Sequence, residues 1–230
     1  MKMKAKAQVT QIGIVLATAI VLSVVAGTYL YTKPITQKSG LKQQAEYVKS
    51  RLEEINRAIE NVVLQGRGAT QVVTVNLKDC TIMINSGDPY DAKNDDMRQR
   101  CNEGTKNQTD TCEPYKNAIE ISCPTPVSIV ACTGEWYTIS EVFEAGGYGL
   151  AGKDPAGVIQ AKCEGGYTTF RLWYRIISED VGNINANKYL YKIEGTGAKT
   201  SGVATLRITN KGTDQVGNRI TQYNIYVEIT

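Results

Sequence analysis

Charged and apolar positions divide the first part of the chain into segments of different character. Lys2, Lys4 and Lys6 come first, and the next charge after them is Lys33. The uncharged run includes residues 12–31, which as a helix rising about 1.5 Å per residue are long enough to cross a membrane core of about 30 Å. Lysines before an apolar segment favour the cytoplasmic side. The pattern therefore predicts a membrane-inserted helix with the rest of the chain outside.

The next segment is amphipathic. Beyond Gly40, apolar residues recur at alternating spacings of four and three, close to a 3.5-residue period. These residues are Leu41, Ala45, Val48, Leu52, Ile55, Ile59 and Val62. The opposite face carries Lys42, Glu46, Lys49, Glu53, Arg57 and Glu60. Two uses stay open for the apolar stripe: a coiled-coil seam between two chains, or a face on which a globular domain of the same chain packs.

Proline and glycine mark the expected breaks in this helical region. Lys33-Pro34 is expected to kink or interrupt the helix, because proline lacks the backbone N–H and clashes with the preceding turn. Gly66 and Gly68 are expected to end it, since glycine suits the left-handed position after a helix. One continuous or kinked helix over about residues 8–64 is the predicted N-terminal element.

From Thr70 onward the apolar positions alternate, which predicts strands. The predicted runs are 70–77, 80–84, 118–123, 127–132, 137–143, 158–163, 168–177, 189–193, 203–209 and 220–229. Lys78-Asp79 is expected to separate the first two runs, and Asn210-Lys211-Gly212 to join the last two as a hairpin. About ten short strands suit a sandwich or a barrel. The predicted fold class is α+β: a long hydrophobic and amphipathic N-terminal helix, then an all-β sandwich or barrel-like domain over residues 70–230.

Six cysteines lie in the predicted exterior domain. They are Cys80, Cys101, Cys112, Cys123, Cys132 and Cys163. An even number in an oxidising compartment predicts up to three disulfides, and the pairing is open. The polar segment 85–117 holds two of them and the sequon Asn107-Gln108-Thr109, which predicts a glycan on Asn107. With no Cys-x-x-Cys and no histidine, no metal site is expected.

Composition argues against several other classes of function. The absence of histidine excludes histidine-based triads and acid–base schemes, so we expect neither an enzyme nor a cofactor. A net charge of +3 from 26 basic and 23 acidic residues argues against a nucleic-acid partner. The glycine-rich residues 146–152 lack the lysine of a phosphate-binding loop.

Lys6-Ala7-Gln8-Val9 resembles the class III signal peptides of type IV pilins and archaellins. The resemblance implies that a prepilin peptidase cuts between Ala7 and Gln8, so that residues 1–7 are a leader and residues 8–65 the N-terminal helix, hydrophobic over 8–32 and amphipathic over 41–64. It also implies that the apolar helices of many copies bundle into a filament core. The core residues would be Ile12, Ile14, Val15, Leu16, Ile20, Val21, Leu22, Val24 and Val25.

Details of the same segment bear on the branch of the superfamily. Bacterial pilins usually carry glutamate at the fifth mature position, where this chain has Ile12, which favours the archaeal branch. The Gly-Ile-Gly opening common in archaellins is replaced by Gln11-Ile12-Gly13-Ile14, which favours an adhesive pilus. The resemblance thus implies a subunit of an extracellular cell-surface filament, inserted as a precursor in the cytoplasmic membrane, with its own copies, the peptidase and the assembly machinery as partners. The alternatives are an archaellin of a motility filament and a non-polymerising, single-pass anchored adhesion ectodomain.

Overall fold

The structure is a computed structural model that describes residues 3–86, 118–124, 132–140, 149–180, 183, 185–216 and 219–230. In the N-terminal helix it describes the side chains of residues 18–28 and of residues from 42 onward. The chain divides into two compact units, Met1–Gln43 and Gln44–Thr230. The amphipathic segment therefore belongs to the same unit as the strands.

One helix, α1, runs over Met3–Gln65. It passes Lys33 and Pro34 without interruption, so of the two expected outcomes the interruption is wrong and the kink stays a prediction. A proline removes one hydrogen bond of the ladder, and in a helix of this length the neighbouring turns keep theirs. The predicted end is confirmed: Gly66 and Gly68 have φ of +92° and +88°, and the Gly66 N–H donates to the Val62 carbonyl at 3.2 Å.

Ten strands are found in the described part of the chain. They are β1 Thr70–Asn85, β2 Ala118–Cys123, β3 Trp136–Thr138, β4 Gly149–Leu150, β5 Gly157–Glu164, β6 Tyr167–Tyr174, β7 Ile177–Ser178, β8 Lys188–Thr196, β9 Ala198–Val216 and β10 Ile220–Ile229. They form one sheet in the order β3-β5-β6-β2-β1-β9-β10-β8-β7-β4. Neighbours are antiparallel except β8 with β10 and β4 with β7. Most of the predicted run 127–132 lies outside the described residues.

The sheet is a half-barrel filled by the amphipathic part of α1. The inner faces of β1, β2, β6, β9 and β10 join the buried side of the helix in one apolar cluster. The predicted fold class, with a separate helical element and a sandwich or barrel, is therefore wrong. The unit is predominantly β and built on one open sheet, because the helix covers the concave face that a second sheet or full closure would otherwise have to bury.

Strand β1 is longer than predicted because it is bent rather than interrupted. Lys78 has φ of +52°, and the pairing with β9 shifts register on both sides of it. The extra residues change which face the side chains point to, so Leu77 and Cys80 both face the core. A bulge with a left-handed residue thus replaces the predicted turn at Lys78-Asp79.

The second predicted turn, at Asn210-Lys211-Gly212, is also part of a strand. β9 continues to Val216 and pairs with β10 beyond this point. Asn210 is buried, and its side-chain Nδ2 donates to the Val62 carbonyl at 3.1 Å. That carbonyl belongs to the last turn of α1 and also accepts from the Gly66 N–H, so Asn210 supplies its second hydrogen bond. Asn210 therefore stabilises the end of the helix.

Candidate assembly surface

The first unit exposes an uncharged stretch of helix. Residues 18–28 contain no charged side chain, and every side chain in this stretch is exposed. Five large apolar side chains are between 59% and 68% exposed: Ile20, Val21, Leu22, Val24 and Val25. No residue that the structure describes covers these five side chains, so the segment presents apolar surface on several sides of the helix.

The polar atoms of this segment are satisfied within the helix. The Ser23 hydroxyl donates to the Ala19 carbonyl at 2.8 Å, and the Thr28 hydroxyl donates to the Val24 carbonyl at 2.7 Å. Such bonds let hydroxyl-bearing residues lie in an apolar environment without an unpaired donor. Among the helical residues that the structure describes, no stretch has both the length and the apolar character needed to span a membrane.

The predicted processing site lies in the same helix. The backbone of Lys6, Ala7 and Gln8 is helical, and their side chains lie outside the described residues. The same holds for four predicted core residues: Ile12, Ile14, Val15 and Leu16. The leader and the first part of the proposed filament core therefore stay predictions.

In the second unit, the apolar stripe of α1 is already covered. Ala45, Leu52, Ile55, Ile59 and Val62 are fully buried, and Val48 is nearly so. All six belong to the cluster formed with the sheet. The side chain of Leu41 lies outside the described residues. Because the stripe packs on strands of its own chain, it is not free to act as a coiled-coil seam.

Polar contacts fix the helix on the sheet. The Tyr174 hydroxyl donates to Asn56 Oδ1 at 3.1 Å, and Asn56 Nδ2 donates to Glu60 Oε1 at 3.0 Å. Asn56 also lies against Gly157, where a Cβ would stand 2.2 Å from Asn56 Oδ1. On the other side of the helix, the Asn76 N–H donates to the Tyr47 hydroxyl at 3.1 Å. These directional contacts define the register of α1 along the sheet.

Tyrosines beside this contact have perturbed acidity. Tyr174 and Tyr191 lie with ring centroids 5.4 Å apart, and Tyr191 and Tyr223 lie 5.6 Å apart. Burial, and secondarily the nearby Glu60 carboxylate, raise the pKa of Tyr174 well above its usual value. The same two causes, with Tyr223, raise the pKa of Tyr191 to about 12. These phenols stay protonated at neutral pH, which suits a packing role.

Two disulfides hold the sheet. Cys80 pairs with Cys123 and links β1 to β2, and Cys132 pairs with Cys163 at the end of β5. Cys101 and Cys112, and with them Asn107, lie outside the described residues. No free cysteine occurs in the part of the chain that the structure describes. These two disulfides cross-link strands and the segments beside them, whereas the sequence indicated only that cysteines would pair.

A buried arginine is a feature that sequence reasoning missed. In β6, Arg171 alternates with the core residues Phe170 and Leu172, so its side chain points away from the core. It is nevertheless fully buried. Its Nε and Nη2 donate to Gln160 Oε1 at 2.9 and 2.5 Å, and its guanidinium lies 3.6 Å from the Trp136 ring centroid. The convex face of β5 and β6 is therefore also covered. The sequence did hold a signal for this burial: one tryptophan and two arginines lie within the predicted run 168–177.

Metal-binding side chains do not cluster in the described part of the chain. Among the described residues, no group of three or more histidine, cysteine, aspartate or glutamate side chains lies close enough to hold a metal ion. The glycine-rich stretch is described from Gly149 onward, where β4 pairs with β7 and the Leu150 N–H donates to Asp154. What stands out is the exposed apolar helix.

No family model matches the chain, and neither a curated protein nor a solved structure is significantly similar to it. The functional interpretation therefore rests on the residues and on the geometry just described.

Proposed function

We propose that this chain is the structural subunit of an extracellular filament of the archaeal type IV pilus kind, with a role in adhesion. The exposed apolar segment 18–28 carries the proposal. A helix that is apolar on all sides needs lipid or other helices around it. In the proposed assembly, the segment lies in the cytoplasmic membrane before assembly and among its own copies in the filament afterwards.

The chain's own packing supports this assignment of the two helix segments. The amphipathic stripe is buried by contacts with the sheet, whereas no described residue of the chain covers the apolar segment. One helix, α1, thus contains a part that the chain itself buries and a part that remains for other molecules. This division suits a subunit that brings a folded domain to the outside of a helical bundle.

The leader supports the proposed route to the filament. Lys6-Ala7-Gln8 resembles a class III processing site, and cleavage there by a prepilin peptidase would remove the three leader lysines and keep the apolar helix. The β-rich unit, with its disulfides and a glycan on Asn107, would form the outer surface. The partners are then other copies of the chain and the assembly machinery.

A matched pair of substitutions tests the proposal. Val21 and Val72 are 60% and 61% exposed, the first in the apolar helix and the second on the sheet. A buried, unpaired charge costs several kcal/mol, so Val21→Glu should abolish filaments. Val72→Glu adds the same charge at a solvent-facing position and should leave their yield unchanged.

The assay is expression of the full chain in an archaeal host that carries a prepilin peptidase and its assembly machinery. Negative-stain microscopy scores filaments, and N-terminal sequencing of the filament protein should begin at Gln8. Normal filaments from Val21→Glu would contradict the proposal. Uncut wild-type chain confined to the membrane fraction, without filaments, would favour the anchored ectodomain instead.

A further inference from the structure

The exposed face of α1 in the second unit carries charges of alternating sign. At 3.6 residues per turn, five charged residues fall within about 80° of arc on the side away from the apolar stripe. They are Glu46, Lys49, Glu53, Arg57 and Glu60. We call them the charged stripe. Each neighbour along it has the opposite sign, and each step is three or four residues long.

The simplest explanation for such a pattern is ion pairing within the helix, and the structure uses it only in part. Lys49 and Glu53 approach to 3.9 Å, with their side chains 28% and 42% exposed. Glu60 accepts a hydrogen bond from Asn56. Glu46 and Arg57 are exposed and form no ion pair with any residue that the structure describes. The stripe therefore retains charge that the described part of its own chain does not neutralise.

We infer that the charged stripe binds the same stripe of a second copy, parallel to it and displaced by about 5 Å along the helix axis. This inference rests on the proposed function, because copies inserted through the same leader and bundled in one filament point in the same direction. A step of three or four residues at about 1.5 Å per residue is about 5 Å. Displacement by one step brings four of the five charges of each copy opposite a charge of the other sign.

Charge complementarity also disfavours two other parallel offsets, those of zero and of two steps. With no displacement, Lys49 faces Lys49 and Glu53 faces Glu53. With two steps, about 10 Å at the same rise per residue, each charge again faces its own sign. Like charges that face each other across an interface are unfavourable and act against a wrong register. The stripe thus specifies the axial register of neighbouring subunits, while the apolar segment supplies most of the association.

Reversal of one charge tests the inference. In the displaced pair, Arg57 of one copy faces Glu53 of the second, and Arg57 of the second faces Glu60 of the first. Arg57→Glu therefore replaces two attractive contacts in each pair by two repulsive ones. We expect filament yield at low salt to fall about tenfold, which is within reach of a few exposed pairs. Arg207→Glu changes the net charge equally at an exposed position on β9 and should leave the yield within about twofold of wild type, as expected for a surface change away from the contact.

Two further experiments distinguish an effect on the register between subunits from an effect on folding: a change of salt concentration and the reversal of all five charges of the stripe. The Debye length is about 30 Å at 0.01 M salt and about 3 Å at 1 M, so the deficit of Arg57→Glu should shrink at high salt. Reversal of all five charges restores complementarity between identical copies, so the filament yield of this variant should return from the level of Arg57→Glu to that of wild type. Co-expressed with wild type, the inverted chain should form separate filaments, because mixed neighbours place like charges together. Thermal melting of each detergent-extracted full chain verifies folding.

Helical reconstruction of wild-type filaments measures the register directly. Neighbours in contact through this face with an offset near 5 Å support the inference, as does the low-salt loss in Arg57→Glu. An offset near zero or about 10 Å, an antiparallel contact, or full yield from Arg57→Glu would overturn it while the filament proposal stands. If the wild-type chain forms no filament at all, both fall.

Discussion

Leu52 offers a sharp test of how the amphipathic helix is used. Its side chain is fully buried between α1 and the sheet, whereas Leu64, in the last turn of the same helix, is 84% exposed. Truncation of a buried leucine to alanine removes its contacts and leaves a cavity, which lowers the free energy of unfolding by about 2–5 kcal/mol. For a unit of this size, a loss of about 3 kcal/mol corresponds to a fall in melting temperature of about 6–12 °C. Leu64→Ala should change it by less than about 0.5 kcal/mol.

The assay is urea unfolding of the full chain, disulfides intact, followed by tryptophan fluorescence at two protein concentrations a hundredfold apart. Because Leu52 packs on strands of its own chain, the free energy of unfolding, and its decrease in Leu52→Ala, should be the same at both concentrations. If the stripe were instead a seam between two chains, apparent stability would change by about 2.7 kcal/mol over this range. A concentration-dependent loss, or a Leu52→Ala effect below about 1 kcal/mol, would refute the intrachain packing.

Two further predictions concern the polar contacts of the helix. A methyl group at Gly157 would stand 2.2 Å from Asn56 Oδ1, so Gly157→Ala should lower the free energy of unfolding by about 1–3 kcal/mol. In an Asn56→Ala background the loss should be smaller, and equal losses in this double-mutant cycle would disprove the clash. The folded pKa of Tyr191 is raised to about 12 from a usual 10.0, so its stabilising contribution is complete below pH 10.0 and falls as pH rises through about 12. Urea midpoints between these values should decline less steeply in Tyr191→Phe, and an unchanged slope would show that Tyr191 does not cause the decline.

The strands could be located from alternation, but their continuity could not. In β1, alternation changes phase between Leu77 and Cys80, and a turn and a bulge give the same phase change in a sequence. The bulge at Lys78 keeps both halves in one strand because β9 pairs with both. That pairing involves residues far apart in the chain. Local pattern alone therefore predicted two strands.

Asn210 shows the same limit for a single residue. Asn-Lys-Gly between two alternating runs has the composition of a turn. In the fold, Asn210 has another role, because the Val62 carbonyl in the last turn of α1 lies beside β9 and accepts a second hydrogen bond from the Asn210 side chain. The helix end and this strand meet only after the sheet has formed. A turn and a buried helix-end contact thus use the same residue type, and the sequence does not distinguish them.

For the candidate site, the pattern of the helix was more informative than any motif. A stripe with charges opposite it predicts a helix that is covered on one side, and residues 44–65 are covered in that way. A run without charges predicts cover on all sides, and residues 18–28 receive none from the residues that the structure describes. Burial of a large aliphatic side chain is worth about 1.5–3 kcal/mol. Five such side chains, each already partly shielded by its own helix, leave several kcal/mol per subunit to be gained by insertion into lipid or among other helices. This free energy is available to either environment. A single charge at Val21 opposes this gain in lipid and among helices alike. The charged stripe would distinguish the two environments, because a neighbouring subunit offers it complementary charges in a fixed register and a membrane does not.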